Sequence, residues 1–263
     1  MFDILKIRER VWRIWDAGKN TFYLVEGEET AAVIDTGVTE GATITPMLRT
    51  LTEKPLILVV THAHPDHFYH MDEFDTVYMS HKEFDLGPEI LKFMMEGKDL
   101  DLESTIPMAT GTVIDLGGRK LEIVDVPGHT PGSVAVYDET DDLLFTGDAI
   151  GSGCGVWMQL PGSSSLTEYE QTLKNLARFC AEKGGNMEFW GGHSNQCWES
   201  ANIQPYNPLS MGLLWDLIEL TRNLRLGKQE GQHWDFDPML REREARFAVW
   251  GRAEMFYNPD KRD

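Results

Sequence analysis

The sequence predicts an α+β fold built on two β-sheets with flanking helices, and three observations carry that expectation. Two blocks of short β-prone runs, within residues 21–60 and 112–146, are parted by a segment of helical character. The run Leu56-Ile57-Leu58-Val59-Val60 has the continuous apolar character of a strand buried on both faces. An amphipathic helical run begins at Ser165, beyond the second block. A chain of 263 residues with 41% hydrophobic and 25% charged residues is in the ordinary globular range and can bury a sizeable core. One domain spanning residues 1–263 is expected, with a helical insertion at about 81–110 and a helical and strand extension at about 198–263.

Residues 21–25 and 31–34 are β-prone runs parted by Glu26-Gly27-Glu28-Glu29, which reads as a hairpin leading to the turn Asp35-Thr36-Gly37. A weak helical pattern covers residues 42–51, and the apolar strand that follows runs directly into Thr61-His62. Residues 81–97 read as helical, with Phe84, Leu91, Met94 and Met95 as apolar positions and Pro88 as a break. Strands resume at 112–116, 120–126, 133–137 and 143–146, punctuated by Gly117-Gly118, Pro127-Gly128 and Asp141-Asp142, so a second sheet is expected. Ser165 and Glu168 have capping-box spacing, and Leu166, Tyr169, Leu173, Leu176 and Cys180 form one apolar face of a helix that ends at Gly184-Gly185. A strand at 187–190, a helix at 210–226 with Leu213, Leu217, Leu220 and Leu224 on one side, and a strand pair within 245–257 complete the chain.

A formal net charge of −19 repels phosphate backbones, and no Lys/Arg-rich run offsets it, so nucleic acid is not expected as a partner. Cys154, Cys180 and Cys197 form no CxxC pair, which fits a reducing compartment. The sequence shows no secretory signal and no run near the roughly 20 apolar residues of a membrane span, so a cytoplasmic protein without a membrane partner is expected. A homodimer is left open.

The segment Thr61-His62-Ala63-His64-Pro65-Asp66-His67 sets three imidazoles and a carboxylate side by side at the end of the buried strand. Packing these titratable groups together without a cation would incur large desolvation and repulsion costs. Imidazole nitrogen and carboxylate oxygen suit zinc and related first-row divalent ions. Extended spacing lets His62 and His64 reach one ion, while Asp66 and His67, past the proline, turn toward a second. His129, Asp148 and His193 each follow a strand-like run and a glycine, so separate loops converge on one sheet edge with close backbone approach.

These residues resemble the metallo-β-lactamase superfamily, whose pattern His-x-His-x-Asp-His is followed in order by the Gly-His, Gly-Asp and late His found here. The resemblance spans about residues 20–195 and implies a four-layer αββα sandwich, the metallo-β-lactamase fold, with helical insertions near the active-site edge. It implies two divalent ions: His62, His64 and His129 on the first, Asp66, His67 and His193 on the second, and Asp148 bridging. The retained Asp148 is more similar to glyoxalase-II-like hydrolases, lactonases and phosphodiesterases than to true β-lactamases. Gly153-Cys154-Gly155 resembles a glyoxalase II segment, but Val156 stands where that family has an arginine, which argues against glutathione thioesters. His64 in place of the glutamate of flavodiiron oxidoreductases argues against a redox role. Phe68-Tyr69-His70 replaces the usual glycine after the cluster, and His70 is not expected to be a ligand.

With zinc, or alternatively iron or manganese, two ions would lower the pKa of a shared water from about 15.7 to near neutrality. The expected activity is therefore hydrolysis of a small-molecule ester, lactone or thioester by a metal-bridging hydroxide. Asp66 and Asp148 are the expected catalytic carboxylates, Asp66 orienting the water or shuttling its proton. A phosphodiesterase of the same fold is the alternative, and a non-catalytic metabolite-binding or sensor protein is the alternative from another class. Asp35, Thr61 and Thr130 lie on turns from which they would fix imidazole tautomers. Phe68, Tyr69, Trp157, Met158, Trp198 and Tyr206 are expected around an apolar substrate pocket.

Overall fold

A computed structural model of the chain describes residues 2–95, 97–151, 155–193, 209–234 and 245–263. Its first sheet has seven strands in chain order: β1 (Asp3–Arg8), β2 (Val11–Trp15), β3 (Thr21–Glu26), β4 (Ala31–Ile34), β5 (Leu56–Val59), β6 (Val77–Met79) and β7 (Ile106–Pro107). The first four strands are antiparallel neighbours, and β4 to β7 run parallel. The second sheet comprises β8 (Val113–Asp115), β9 (Lys120–Asp125), β10 (Val134–Asp138), β11 (Leu143–Gly147) and β13 (Glu188–Gly191), the last two parallel.

Side chains alternate across each strand, and this alternation sorts the core into layers. From the first sheet Tyr23, Val25, Ala32, Ile34 and Val59 meet Leu121, Ile123, Val136, Leu143 and Phe145 of the second, forming the interior of a β-sandwich. The opposite face of the first sheet, Leu24, Val33 and Leu58, packs under the short helices α1 (Thr45–Leu48), α2 (Pro65–Phe68) and α3 (Pro88–Met94). The opposite face of the second sheet, Val124, Ala135, Leu144 and Phe189, packs under α4 (Leu166–Glu182) and α5 (Met211–Arg225). The order is helices, sheet, sheet, helices, as expected. The Ser165 and Glu168 capping box is formed, and the five apolar positions expected on α4 are all buried.

The structure departs from expectation in four places. The hairpin of β1 and β2 precedes residue 21, outside the expected strands, and β1 is an edge strand on which Ile4 stays 41% exposed. Within the insertion at about 81–110, a 3₁₀ turn (His81–Leu86) and α3 account for the helical part, which ends at Met94. Pro88 starts α3 at its first turn instead of breaking a helix, since its missing N–H is unneeded there. The C-terminal strands β15 (Arg246–Trp250) and β16 (Ala253–Tyr257) form the expected pair, but they belong to a third sheet with β14 (Gln232–His233) and β12 (Val156–Met158). There β16 runs parallel to β12, with Trp157 opposite Phe256. Among the described residues no helix is long and apolar enough to cross a membrane.

Candidate metal centre

Parallel pairing puts the C-terminal ends of β4 and β5 on one edge, and β11 and β13 end on the same edge of the second sheet. Each end delivers part of the site: Asp35 after β4, Thr61 to His67 after β5, Asp148 after β11 and His193 after β13. The sheets are tied together here, because Val134 N donates to Thr61 O at 2.9 Å, Thr21 N to Gly192 O at 2.7 Å, and the Tyr23 hydroxyl to Gly191 O at 2.6 Å. Gly192 lies so close to the site that a Cβ would stand 2.3 Å from Asp148 Oδ1 and 2.6 Å from His67 Cε1. Gly147, at φ 48°, leaves room for Thr61 in the same way.

Two donor groups assemble: His62, His64, His129 and Asp148, all buried, and Asp66, His67 and His193. In the first, His62 Nε2 and His129 Nε2 lie 3.1 and 2.8 Å from His64 Nδ1. In the second, Asp66 Oδ2 is 3.4 Å from both His67 Nε2 and His193 Nε2. Asp148 Oδ2 sits between the groups, 4.0 Å from His62 Nε2 and 3.8 Å from His129 Nε2 on one side, and 3.6 Å from His67 Nε2 and 3.2 Å from His193 Nε2 on the other. A tetrahedral ion with bonds of about 2.0–2.2 Å spaces its ligand atoms about 3.3–3.6 Å apart, so small adjustments bring these atoms around a cation.

The tautomers point the same way. His129 Nδ1 donates to Trp157 O at 2.7 Å, which leaves a lone pair on Nε2. The Thr61 hydroxyl donates to Asp35 Oδ2 at 2.8 Å and so accepts from His62 Nδ1 at 3.1 Å, leaving a lone pair on His62 Nε2. Both lone pairs face His64 Nδ1, which carries one proton at most, so no more than one of these close contacts is satisfied by a linear hydrogen bond. A cation resolves the conflict, and the donor set fits one.

Burial holds His62 well below its ordinary value and His64 down to about 3, aided by the neighbouring imidazoles, so both rings are neutral and able to ligate. Burial lowers His129 likewise. Burial opposes ionisation of Asp148 and Asp66, but His193 and His67 overcome it and hold both carboxyls below their ordinary values. Burial also opposes protonation of His67 and His193, yet the carboxylates beside them raise both. His67 Nδ1 donates to Asp35 Oδ2 at 2.8 Å, and Asp35 also accepts from Thr61 N at 2.8 Å. Asp35, at φ 63°, thus orients His67 from a conformation that Asp tolerates better than most residues.

Not every expected residue lies where expected. Thr130 touches none of the rings; its hydroxyl donates to Glu83 Oε1 at 2.5 Å. Phe68 is fully buried beneath the first sheet and Met158 is 1% exposed among the α4 and α5 side chains, so both belong to the core and not to the pocket wall. Tyr69 lines a second depression with Thr39 and Lys98 that includes none of the donor residues, Lys98 standing on the rim of both. Trp157 does line the pocket over the donor clusters. Trp198 and Tyr206 lie outside the described residues, as do Cys154 and Cys197. His70 bonds Thr39 and Glu73 and stands outside both donor groups.

Sequence reasoning missed three contributors. Glu83 is buried between the ligand loops and accepts from the Thr130 hydroxyl, and burial pushes it up to about 7 against the opposing influence of Thr130 and the nearby Ala63 and Gly132 backbone. Asn20 lines the pocket and pairs with His193 through a β-bridge. The carbonyl of Trp157 orients His129 from β12, whose pairing with β16 spans nearly one hundred residues of sequence. A charged residue in a helical segment and a backbone carbonyl carry no motif, so no signal for them was present.

The αββα sandwich and its convergent imidazoles and carboxylates define a divalent-metal-binding scaffold. Solved structures share the fold: a metallo-beta-lactamase from Pontibacter korlensis is 20% identical with TM-score 0.62, covering 85% of this chain and 100% of that chain. The metallo-beta-lactamase IND-7 is 17% identical with TM-score 0.59, covering 83% and 98%. The chain belongs to the metallo-beta-lactamase superfamily, whose family profile matches residues 15–183, well over half of its length. A relative from Homo sapiens named acyl-coenzyme A thioesterase MBLAC2 is 26% identical over 224 residues, covering 70% of this chain and 76% of the relative. A hydroxyacylglutathione hydrolase from Methylobacillus flagellatus is 31% identical over 173 residues, covering 62% of each. The chain is a hydrolase of this superfamily.

Proposed function

We propose that the chain hydrolyses thioesters of small molecules at a pair of divalent ions, zinc first among them. His62, His64 and His129 would hold one ion and Asp66, His67 and His193 the other, with Asp148 placed to serve both. One observation carries the reading: Asp148 Oδ2 lies within 3.2–4.0 Å of ring nitrogens from both donor groups. The names of the thioesterase and hydroxyacylglutathione hydrolase relatives support a thioester over a lactone or phosphodiester.

Bound ions supply Lewis acidity, polarising the acyl oxygen and acidifying water. The chain supplies geometry and proton handling. Asp66 is 22% exposed and lines the pocket, so it can orient the attacking water and accept its proton. Asp35 and the Trp157 carbonyl fix the rings of His67 and His129, so no reorientation is needed during the reaction. Water adds across the C–S bond, giving a carboxylate, a thiol and a proton.

The test is metal analysis with a substrate panel of acyl thioesters, esters, lactones and phosphodiesters. Two ions per chain and fastest turnover of thioesters are expected. Turnover confined to phosphodiesters, or full activity with a single ion, overturns the reading.

A further inference from the structure

The donor clusters form only one wall of a cavity of about 1360 Å³, larger than the roughly 300–1,000 Å³ of ordinary small-molecule sites. The lining also takes in α3 and the residue after it, where Phe93, Met94 and Met95 are joined by the charged Glu89 and Lys92, and it continues through Trp157, Leu160 and Pro65. Leu91 and Met94 anchor α3 to the core, while Phe93 on the same helix is left 65% exposed. A large aromatic ring lining a cavity that the donor clusters share, with a helix holding it out of the core, leaves apolar surface in water until a ligand covers it.

We infer that α3, with Phe93 near its C-terminal end, is an acyl subsite that takes the unbranched hydrocarbon chain of the substrate, deepening the thioesterase reading on which it rests. The occupant follows from continuity: the cavity runs unbroken from His64 and Asp148, where the acyl carbon is attacked, to Met95 and Phe93. A chain extending from that carbon lies against thioether and aromatic side chains, whose softness suits a flexible alkyl group. A short hydroxylated acyl group would leave the α3 wall bare.

Acyl thioesters of increasing chain length on one common thiol test this with wild type and Phe93→Asp. Fully burying each methylene is worth about fourfold in kcat/KM, so wild type should gain about two- to fourfold per methylene until the wall is covered. The loss in Phe93→Asp should grow with chain length. A flat series in wild type, or an unchanged slope in the variant, overturns the subsite. Dodecanoate binding to metal-free protein, followed by tryptophan fluorescence because Trp157 lines the same cavity, separates the two claims. Dodecanoate binding weakened by Phe93→Asp, without turnover of any thioester, removes the activity and supports the subsite. Turnover of short thioesters without dodecanoate binding does the reverse. Because Phe93 is exposed, the substitution leaves the core intact, which thermal unfolding verifies.

Discussion

Gly192→Ala isolates the geometry of the metal centre, because Gly192 has no left-handed φ that an alanine would strain. The only cost is contact. The added Cβ would lie 2.3 Å from Asp148 Oδ1 and 2.6 Å from His67 Cε1, where ordinary van der Waals contact begins at 3.4 Å. Neither neighbour is the loose end of a surface side chain: His67 is held by Asp35, and Asp148 by His193. One of them, or the loop itself, must therefore retreat by about 1 Å, a misplacement that costs on the order of 100-fold in rate when it disturbs reacting groups. The displaced residues belong to different donor groups, so both ions should be affected.

The assay pairs metal content after gel filtration with kcat/KM on an acyl thioester. We expect fewer than two ions per chain and kcat/KM lower by about 100-fold or more. Overpacking should also cost about 1–3 kcal/mol of stability in the metal-free protein. Wild-type metal content together with wild-type kcat/KM would refute the claim that the loop holds Asp148 and His67 at these distances.

Asp35→Asn keeps a residue tolerant of φ 63° while removing the charge beside His67, and should weaken metal affinity about 10–100-fold in chelator competition. Glu83→Gln tests a buried carboxyl raised from 4.5 to about 7. The native state retains a proton that the unfolded chain releases, so the wild-type contribution is present below pH 4.5 and is lost as pH rises through 7, about 3 kcal/mol in all. Urea unfolding of the metal-free proteins should show the variant gaining on wild type across that window, and a pH-independent difference would defeat the assignment. Phe256→Ala removes a ring 5% exposed that packs on Trp157, Trp234 and Phe247, and should cost about 3–5 kcal/mol in denaturant unfolding. Because β16 supports the strand whose carbonyl orients His129, metal affinity should fall with it.

What was legible in the sequence was local or rhythmic. Residues 61–67 lie on one strand end, so their spacing alone brings His62, His64 and His67 close together. His129, Asp148 and His193 were legible because each follows a glycine after a strand, and Gly128, Gly147 and Gly192 all prove to be points where a Cβ would stand within 2.4 Å of a neighbour. The capping box and apolar face of α4 follow from helical period alone. The rest depended on partners remote in sequence. Phe68 and Met158 look like pocket residues in a loop-rich stretch, but α2 and β12 turn them inward, which only the packing of each layer decides. The alliance of β12 with β16, and the burial of Glu83 between two ligand loops, arise from tertiary contacts that no periodicity records.

The charges of the site bear on how metal binding depends on pH. Asp66 and Asp148 stay ionised, and their field raises His67 and His193, so protons on these two rings balance the carboxylates when no cation is present. Protonated rings stabilise the metal-free fold below their unfolded values near pH 6.5, and this contribution is lost as pH rises through their raised native values. A cation needs those same nitrogens deprotonated. Metal binding near pH 7 should therefore expel between one and two protons per chain, and affinity should climb with pH. Titration calorimetry in buffers of different ionisation enthalpy counts the protons directly. Binding without proton release at pH 7 would mean that His67 and His193 are already neutral, and that the carboxylates do not set their charge.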